Sequence, residues 1–444
     1  MTTATTPRRP FLGQSLTTWS LVALAAGLAL GIIGHAAGSG TFGALGKAIE
    51  PIGAVWVAAL QMLVLPLVLT HVLAAIVVSN RNESVGALGA WSVLLFVGML
   101  VIAGIFTLAL APPIISSFTV APETVASLRA ATTVPETARH AESTGHGSFY
   151  EWLAGLVPTN LFAAAVRGDV LPLLLFSVVL GIAITRLPAG QREPLGQVFR
   201  SLAEAMLLLV RWVLWGTPVA VFVLSYALAL EGGGAAAGVL AAWVAIVSLL
   251  LVLFTALLYP WSAILGRTTI RTFARSVAPA QLIALSTRSS IAALPALVEG
   301  GREHLRLPAT ATSFVLPLSV SVFKVNRTIS STAKLLFLAH VFGVPLGVGT
   351  LATFLVTVII LSFTSAGVPL GGSAFKTLPA YVAAGVPIEA VVILEAVETI
   401  PDIFKTVLNV TGDMSVAALL TRSGRALSSM APTADESKHV TETA

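Results

Sequence analysis

The chain has 444 residues, of which 56% are hydrophobic and 10% are charged, and its mean hydropathy is +0.93. These values exclude an ordinary soluble protein and indicate a polytopic membrane protein with lipid around it. The net charge of +5 comes from basic residues in short gaps between apolar runs, so they indicate orientation in a bilayer, and we expect no nucleic-acid partner.

The absence of cysteine limits the chemistry of the chain. Disulfides, cysteine metal sites and thiol nucleophiles are excluded. The seven histidines form no HExxH-like spacing, so we expect no metal site and no cofactor.

The first apolar run follows the paired arginines Arg8 and Arg9. This arrangement also fits a cleaved signal peptide, but the run is long enough to span a bilayer and many spans follow it. We expect an uncleaved first helix with both arginines on the cytoplasmic side.

Six conventional spans are predicted before residue 266, since each run holds about 20 apolar residues. They lie near 18–38, 51–78, 87–114, 158–185, 203–230 and 236–265. Basic residues concentrate in alternate gaps, which predicts a multi-pass protein of the plasma (inner) membrane with both termini cytoplasmic. The polar segment 115–150 is predicted to be an external loop, and 426–444 a disordered tail.

Polar clusters interrupt the apolar runs after Gly266, at 285–297, 322–331, 361–374 and 398–415. Irregular backbone is tolerated at membrane depth only inside protein or beside a wet cavity. The order hairpin, span, hairpin, span predicts a duplicated unit with a midplane site, as in secondary transporters. We therefore divide the chain into six N-terminal helices (1–265), a transport core (266–425) and the tail.

The four clusters, in this order, resemble the dicarboxylate/amino acid:cation symporter family. Three of them resemble its signatures and read "STRSSIAALP" (286–295), "SAGVPLGG" (365–372) and "DIFKTVLNVTGD" (402–413), and weaker similarity covers roughly residues 15–425. The resemblance implies an all-α homotrimer with eight transmembrane helices, two re-entrant helical hairpins and inverted repeats. Helices 1, 2, 4 and 5 would form the scaffold, and helices 3 and 6 would move with the transport core in an elevator motion.

The resemblance also assigns roles to individual positions. Substrate contacts are implied for Ser289 and Ser290 (carboxylate), Asp402 (amino group) and Asn409, with Arg288 in a supporting role. Sodium sites are implied for Asn409 with Asp413, and for the backbone oxygens of Ser362, Phe363 and Ser365.

The sequence departs from the family pattern at the cation sites. Phe323 and Val325 stand where an Asn and an Asp help to hold sodium, and Arg327 stands where a Thr meets substrate. Helix 3 offers only the apolar side chains of Phe96, Met99 and Leu100 to a third sodium site, which requires oxygen ligands. Lys405 replaces an arginine of members that carry acidic substrates, so proton coupling becomes conceivable.

A charge at membrane depth costs about 2.5 to 3.5 kcal/mol even on the most lenient insertion scale. We therefore expect Lys324 and Arg327 to have functions. One hypothesis is that one of them replaces a bound cation and the other faces substrate or Asp402. The alternative is a purely structural network with Asp413, Asp402 or Glu398.

The leading interpretation is a secondary symporter for a small dicarboxylate or acidic amino acid, coupled to Na⁺ or H⁺. Asp402 favours an amino acid, whereas Arg327 favours a second acidic group. The alternative is an uncoupled facilitator or channel of the same fold. A non-transporting receptor has no positive support in the sequence, and the absence of enzyme motifs such as GxSxG argues against an enzyme.

Overall fold

The computed structural model describes residues 16–38, 40–79, 86–118, 157, 159–167, 170–308, 311–363 and 377–422. Every regular element in these ranges is helical, as predicted for an all-α membrane protein. Most of the polar segment 115–150, the motif 365–372 and the tail 426–444 lie outside the described residues.

The N-terminal part of the chain forms long helices. These are α1 (Leu16–Ala37), α2 (Gly40–Ser79), α3 (Gly86–Ser116), α4 (Leu161–Arg167), α5 (Val170–Thr185), α6 (Ala189–Trp215) and α7 (Thr217–Leu265).

The helices that follow are mostly shorter. They are α8 (Ile270–Thr287), α9 (Ser290–Glu303), α10 (Leu316–Val322), α11 (Val325–Phe342), α12 (Val348–Phe363), α13 (Leu378–Ala383), α14 (Ile388–Ala396) and α15 (Thr399–Arg422), with one π-helical turn at Ala311–Val315 before α10.

Several helices can cross a bilayer. Among the described residues, five stretches are long and apolar enough: Thr18–Ala37, Gly40–Ala59, Trp91–Ser116, Thr217–Leu265 and Thr399–Leu420. Pro172–Thr185 and Val348–Ser362 are shorter apolar helices. These helices fit the predicted location in a membrane.

Two predicted spans differ from the observed helices. The run 203–230 is interrupted at Gly216, where α6 ends and α7 begins with a proline in its first turn. Proline is tolerated there because the first helical N–H groups have no partner within the helix. The predicted boundary near 231–235 is a kink within α7 at Gly233, whose φ of 56° and ψ of −143° suit glycine.

Close packing joins α1 to α7. A Cβ atom at Gly27 would lie 2.1 Å from Oγ of Ser225, and one at Gly31 would lie 2.6 Å from the carbonyl oxygen of Tyr226. Small residues let helix backbones approach closely in a membrane, where van der Waals contact drives association. The glycines of α1 therefore position α7.

Helix α15 lies at the centre of the C-terminal half. It packs against α3, α7, α8, α9, α10 and α11. In an 18-residue apolar stretch of α15, 78% of the residues are buried. This burial explains why α15 carries polar residues on a span. They face other helices instead of lipid.

Two interruptions place polar backbone inside the bundle. Helix α10 ends at Val322 and α11 begins at Val325, so Phe323 and Lys324 have non-helical dihedral angles between them. This confirms an interruption within the predicted region 322–331. The polar cluster 398–415, predicted to lie within a span, falls in the continuous helix α15, and the irregular residues Val397 and Glu398 precede this helix.

Candidate functional site

The first motif forms the junction between α8 and α9, two helices that pack against each other. Arg288 ends α8 in the left-handed conformation, with a φ of 53°. Ser289 caps α9, because its Oγ accepts a hydrogen bond from the N–H of Ala292 at 3.2 Å. Ser290 follows as the first, buried residue of α9. The two predicted serines thus lie at a helix N-terminus, where N–H groups favour a carboxylate.

The break between α10 and α11 contacts α15. The N–H of Asn326 donates to Oδ1 of the buried Asn409 at 3.2 Å. The ammonium of Lys324 donates to the carbonyl oxygen of Val320 at 2.6 Å. These bonds satisfy polar backbone groups that the helix break leaves open, and they bring Lys324 and Asn409 into one region.

Arg327 is buried at the start of α11. Its guanidinium donates to the carbonyl oxygen of Leu361 at 3.4 Å and interacts electrostatically with Glu395. Leu361 lies near the C-terminus of α12, beside Ser362, whose hydroxyl donates to the carbonyl of Val358 at 2.7 Å. Arg327 therefore connects α11 to the end of α12.

Asp413 is fully buried on α15. Lys324 attracts it, and Ser319 is its other polar neighbour. Ser319 also donates to the carbonyl oxygen of Leu316 at 3.0 Å, and neither oxygen of Asp413 accepts a well-formed hydrogen bond. The carboxylate thus depends on the positive charge of Lys324.

Aromatic rings fill the space on the other side of this break. Phe323 and Phe96 stack with centroids 4.7 Å apart, and both are almost completely buried. Phe323 and Met99 also lie around Gly412, the residue before Asp413. These side chains offer no oxygen ligand for a hard cation, in agreement with the departure noted in the sequence.

Five charged residues form a continuous series of ion pairs, which we call the ion-pair chain: Glu395, Lys334, Glu398, Lys405 and Asp402. Nζ of Lys334 lies 2.7 Å from Oε2 of Glu395 and 2.8 Å from Oε1 of Glu398. Nζ of Lys405 contacts Glu398 and lies 3.1 Å from Oδ1 of Asp402. Carboxylates and ammonium groups alternate along this ion-pair chain.

The two ends of the ion-pair chain differ in exposure. The side chain of Asp402 is 44% exposed and that of Glu395, at the other end, is 14% exposed. Lys334 and Glu398 between them are 3% and 4% exposed. Lys334 also lies 5.7 Å from the ring centroid of Trp243 on α7, a cation–π distance. The ion-pair chain therefore leads from Asp402, which is partly exposed to solvent, into the interior of the helix bundle.

The structure brings most predicted site residues together. Lys324, Asn409 and Asp413 meet at the α10–α11 break, and Asp402 with Lys405 belongs to the ion-pair chain. Arg288 interacts electrostatically with Asp402, which places the first motif beside this chain. Ser365 and the side chain of Phe363 lie outside what the structure describes.

Sequence reasoning missed Lys334 and Glu395. Lys334 lies seven residues after Arg327, two helical turns further along α11. Glu395, Glu398, Asp402 and Lys405 follow one another at intervals of three or four residues, the spacing of one helix face. That stripe of charges in an otherwise apolar region was the available signal.

Comparison with known proteins places these features in a family. The profile of the sodium:dicarboxylate symporter family matches residues 16–423. The proton/glutamate-aspartate symporter of Escherichia coli (strain K12) is 29% identical over 366 residues, which cover 82% of this chain and 83% of the relative.

Two further relatives are named for a different range of substrates. The proton/sodium-glutamate symport protein of Geobacillus stearothermophilus is 26% identical over 378 residues, covering 84% of this chain and 87% of the relative. The neutral amino acid transporter B(0) of Oryctolagus cuniculus is 27% identical over 452 residues, which cover 93% of this chain and 81% of the relative. The chain therefore belongs to the sodium:dicarboxylate symporter family, and it is a membrane transporter, not an enzyme.

Proposed function

We propose that the protein is a secondary symporter that moves an acidic amino acid across the plasma (inner) membrane together with protons. The observation that carries this proposal is the convergence of Arg327, Lys405 and Asp402 on helices α11 and α15, with the last of these half-exposed. Two cations and a carboxylate are complementary to a solute with two carboxylates and an ammonium group. The acidic amino acids in the names of bacterial relatives agree with this solute class.

Each group has a proposed role in binding. Ser289 and Ser290 receive one carboxylate at the N-terminus of α9, and Arg288 supports them from the preceding turn. Asp402 receives the ammonium group. Lys405 and Arg327 face the second carboxylate of the solute, and Asn409 provides a further polar side chain in the site.

Lys324 is the proposed replacement for a bound cation at Asp413. Its ammonium is tethered to Val320 and attracts a carboxylate that has no well-formed hydrogen bond. The stacked rings of Phe96 and Phe323 beside it contribute no ligands to a metal ion. The family resemblance implies a second cation site at the backbone oxygens of Ser362, Phe363 and Ser365, and the proton-coupled function that we propose does not require sodium there.

The transport cycle that we propose is the elevator motion of the family. Residues 266–425, with the third and sixth predicted spans (87–114 and 236–265), would move against a homotrimeric scaffold, and two re-entrant hairpins in inverted repeats would close over the solute. Packing of α8 on α9 supports the first hairpin. Exposed apolar side chains such as Trp212 and Trp215 fit contacts with lipid or a neighbouring subunit. Arginines beyond helix ends support cytoplasmic termini.

Uptake by purified protein in liposomes tests the function. Labelled aspartate and succinate would be supplied with an inward proton gradient, an inward sodium gradient or neither. We expect aspartate to accumulate above equilibrium only with the proton gradient. Accumulation driven by sodium alone would contradict proton coupling, and equilibration without accumulation under every gradient would support an uncoupled facilitator.

A further inference from the structure

We propose that Glu395 is the residue that takes up the coupled proton, because its carboxylate competes with the second carboxylate of the solute for the same cations. This inference rests on the proposed function, since it concerns the same solute site. In the empty transporter Glu395 is the ionised partner of these cations. When an acidic solute arrives, Glu395 becomes protonated and the solute takes over that partnership.

Glu395 is a charged neighbour of both cations of the proposed solute site. It lies near the end of α14, and its Oε2 accepts a hydrogen bond from Nζ of Lys334 at 2.7 Å. The carboxylate also interacts electrostatically with Arg327 and with Lys405. Its side chain is 14% exposed, so it is buried enough for charge to matter but is not sealed from water.

A solute carboxylate that pairs with Arg327 and Lys405 therefore comes close to Glu395, because the same two cations attract both groups. Asp402 adds a further negative charge, and it too interacts electrostatically with Glu395. Carboxylates that share a buried site do not all remain ionised, since each one disfavours the charge of the others. Binding of an acidic solute thus favours a proton on one of three residues: Glu395, Glu398 or Asp402.

Asp402 is the carboxylate that the solute itself keeps ionised. It is proposed to receive the ammonium group of the solute, and its side chain is 44% exposed. Nζ of Lys405 lies 3.1 Å from its Oδ1, and Arg288 interacts with it electrostatically. Water and positive charges on several sides favour the ionised form of Asp402 in the loaded site.

Glu398 stays ionised because two ammonium groups contact it. Nζ of Lys334 lies 2.8 Å from its Oε1, and Lys405 contacts its other oxygen. An ammonium group has three N–H donors, so Lys405 can exchange Asp402 for the solute and still donate to Glu398. With 4% exposure, Glu398 is also less accessible to water than Glu395.

Glu395 has the weakest positive surroundings of the three once the solute is bound. The ion pairs of the described residues give it one cation in contact, Lys334, which Glu398 shares. The attraction of Arg327 is then taken up by the solute carboxylate. In this step a proton from water binds to a carboxylate oxygen of Glu395, and the solute carboxylate becomes the partner of Arg327. The neutral acid can still accept the hydrogen bond from Lys334.

Helices α1, α7 and α13 also pack against α14, but their ionisable groups bond elsewhere or are exposed. Tyr381 of α13 donates to the carbonyl oxygen of Ser331 at 3.1 Å. His35, the one ionisable residue of α1, contacts the carbonyl oxygen of Leu230 at 2.9 Å. The ionisable residues of α7 are hydrogen-bonded to other groups or exposed: Tyr226, Glu231 and Tyr259. Within the described residues, the charges that act on Glu395 are thus those of the ion-pair chain and Arg327.

The test counts the protons that bind together with the solute. Aspartate is titrated into the purified full-length protein in detergent by isothermal titration calorimetry, in two buffers with different enthalpies of ionisation. The difference in heat gives the number of protons taken up, because free aspartate itself does not titrate between about pH 6 and 8. The wild type should take up about one proton per aspartate, and its affinity should rise by up to about tenfold for each unit that the pH falls.

Glu395→Gln identifies the proton acceptor. This variant imitates the protonated side chain, so it should bind aspartate without proton uptake and with an affinity that does not depend on pH. Glu395→Asp keeps a carboxylate and should still take up a proton. Glu398→Gln should also take up a proton, whatever its affinity. Glu204→Gln is the control, because this exposed residue of α6 is paired with Arg200, and it should match the wild type.

Three results would overturn the assignment. They are aspartate binding by the wild type without proton uptake, proton uptake that persists in Glu395→Gln, and loss of proton uptake in Glu398→Gln. If Glu395→Gln does not fold, the wild type and Glu398→Gln still decide. Failure of the proposed function itself would look different, because wild-type protein in liposomes would then show no proton-driven accumulation of aspartate.

Discussion

The ring of Phe323 stacks on that of Phe96, with centroids 4.7 Å apart and 12° between the planes. This contact joins α3 to the break between α10 and α11, beside the buried carboxylate of Asp413. Asp413 therefore lies between an apolar contact on one side and the ammonium group of Lys324 on the other.

The stacked pair is expected to stabilise the fold. Phe323→Ala removes a ring that is 1% exposed, which costs about 3 to 5 kcal/mol in a well-packed core. We expect a clearly lower thermal unfolding midpoint in detergent. Phe162→Ala is the matched control, because this ring on α4 is 81% exposed. Equal midpoints for the two variants would show that the stack contributes nothing.

Lys324 is expected to determine whether the core needs a metal cation. Lys324→Met leaves Asp413 without its positive neighbour, so sodium should bind there instead. The unfolding midpoint of this variant should then be higher in sodium chloride than in choline chloride. Wild-type protein should show no such difference. Adding Asp413→Asn to Lys324→Met should remove the sodium effect, and Lys47→Met, at an exposed position of α2, should not create one. Identical responses to sodium in the wild type and in Lys324→Met would refute the replacement.

Much of this organisation was predictable, because hydropathy and polar clusters are local properties of the sequence. The runs near 18–38, 51–78 and 87–114 correspond to α1, part of α2 and α3. The interruption near Lys324 was also expected. Asp413 was predicted only as one of several possible partners of Lys324, since the register between two helices depends on how they pack.

The ion-pair chain was harder to predict. Lys334 looks like one more cation in α11, and only the packing of α11 beside the α14–α15 junction brings it to Glu395 and Glu398. The polar cluster 398–415 was predicted to lie within a span, and burial of α15 is what allows this polar sequence to remain helical.

Arg327 is expected to bind the solute. Arg327→Thr removes a charged donor from a buried site, which weakens the affinity for aspartate by about tenfold to a hundredfold. Affinity would be measured by isothermal titration calorimetry in detergent. Arg327→Lys should recover part of the loss by restoring the charge, and Arg302→Thr, at an exposed position of α9, should have no effect. Unchanged affinity in Arg327→Thr would assign this residue a purely structural role.

Close packing of α1 on α7 should make Gly27 intolerant of a side chain. A Cβ there would lie 2.1 Å from Oγ of Ser225 and 2.6 Å from the carbonyl oxygen of Phe222. Gly27→Ala should lower stability by about 1 to 3 kcal/mol, the usual cost of overpacking. Gly43→Ala is the control, because a Cβ there meets no atom within 4 Å. The two variants would be compared by thermal unfolding, and equal stability would contradict the packing.

The central claim is that fixed charges of this core replace bound sodium. The most direct measurement is the dissociation constant of aspartate by isothermal titration calorimetry, in sodium chloride and in choline chloride at equal ionic strength and pH. The fixed positive charge of Lys324 beside Asp413 predicts the same constant in both salts, within about twofold, because no sodium site has to be filled. Binding that is more than about tenfold tighter in sodium would contradict the claim.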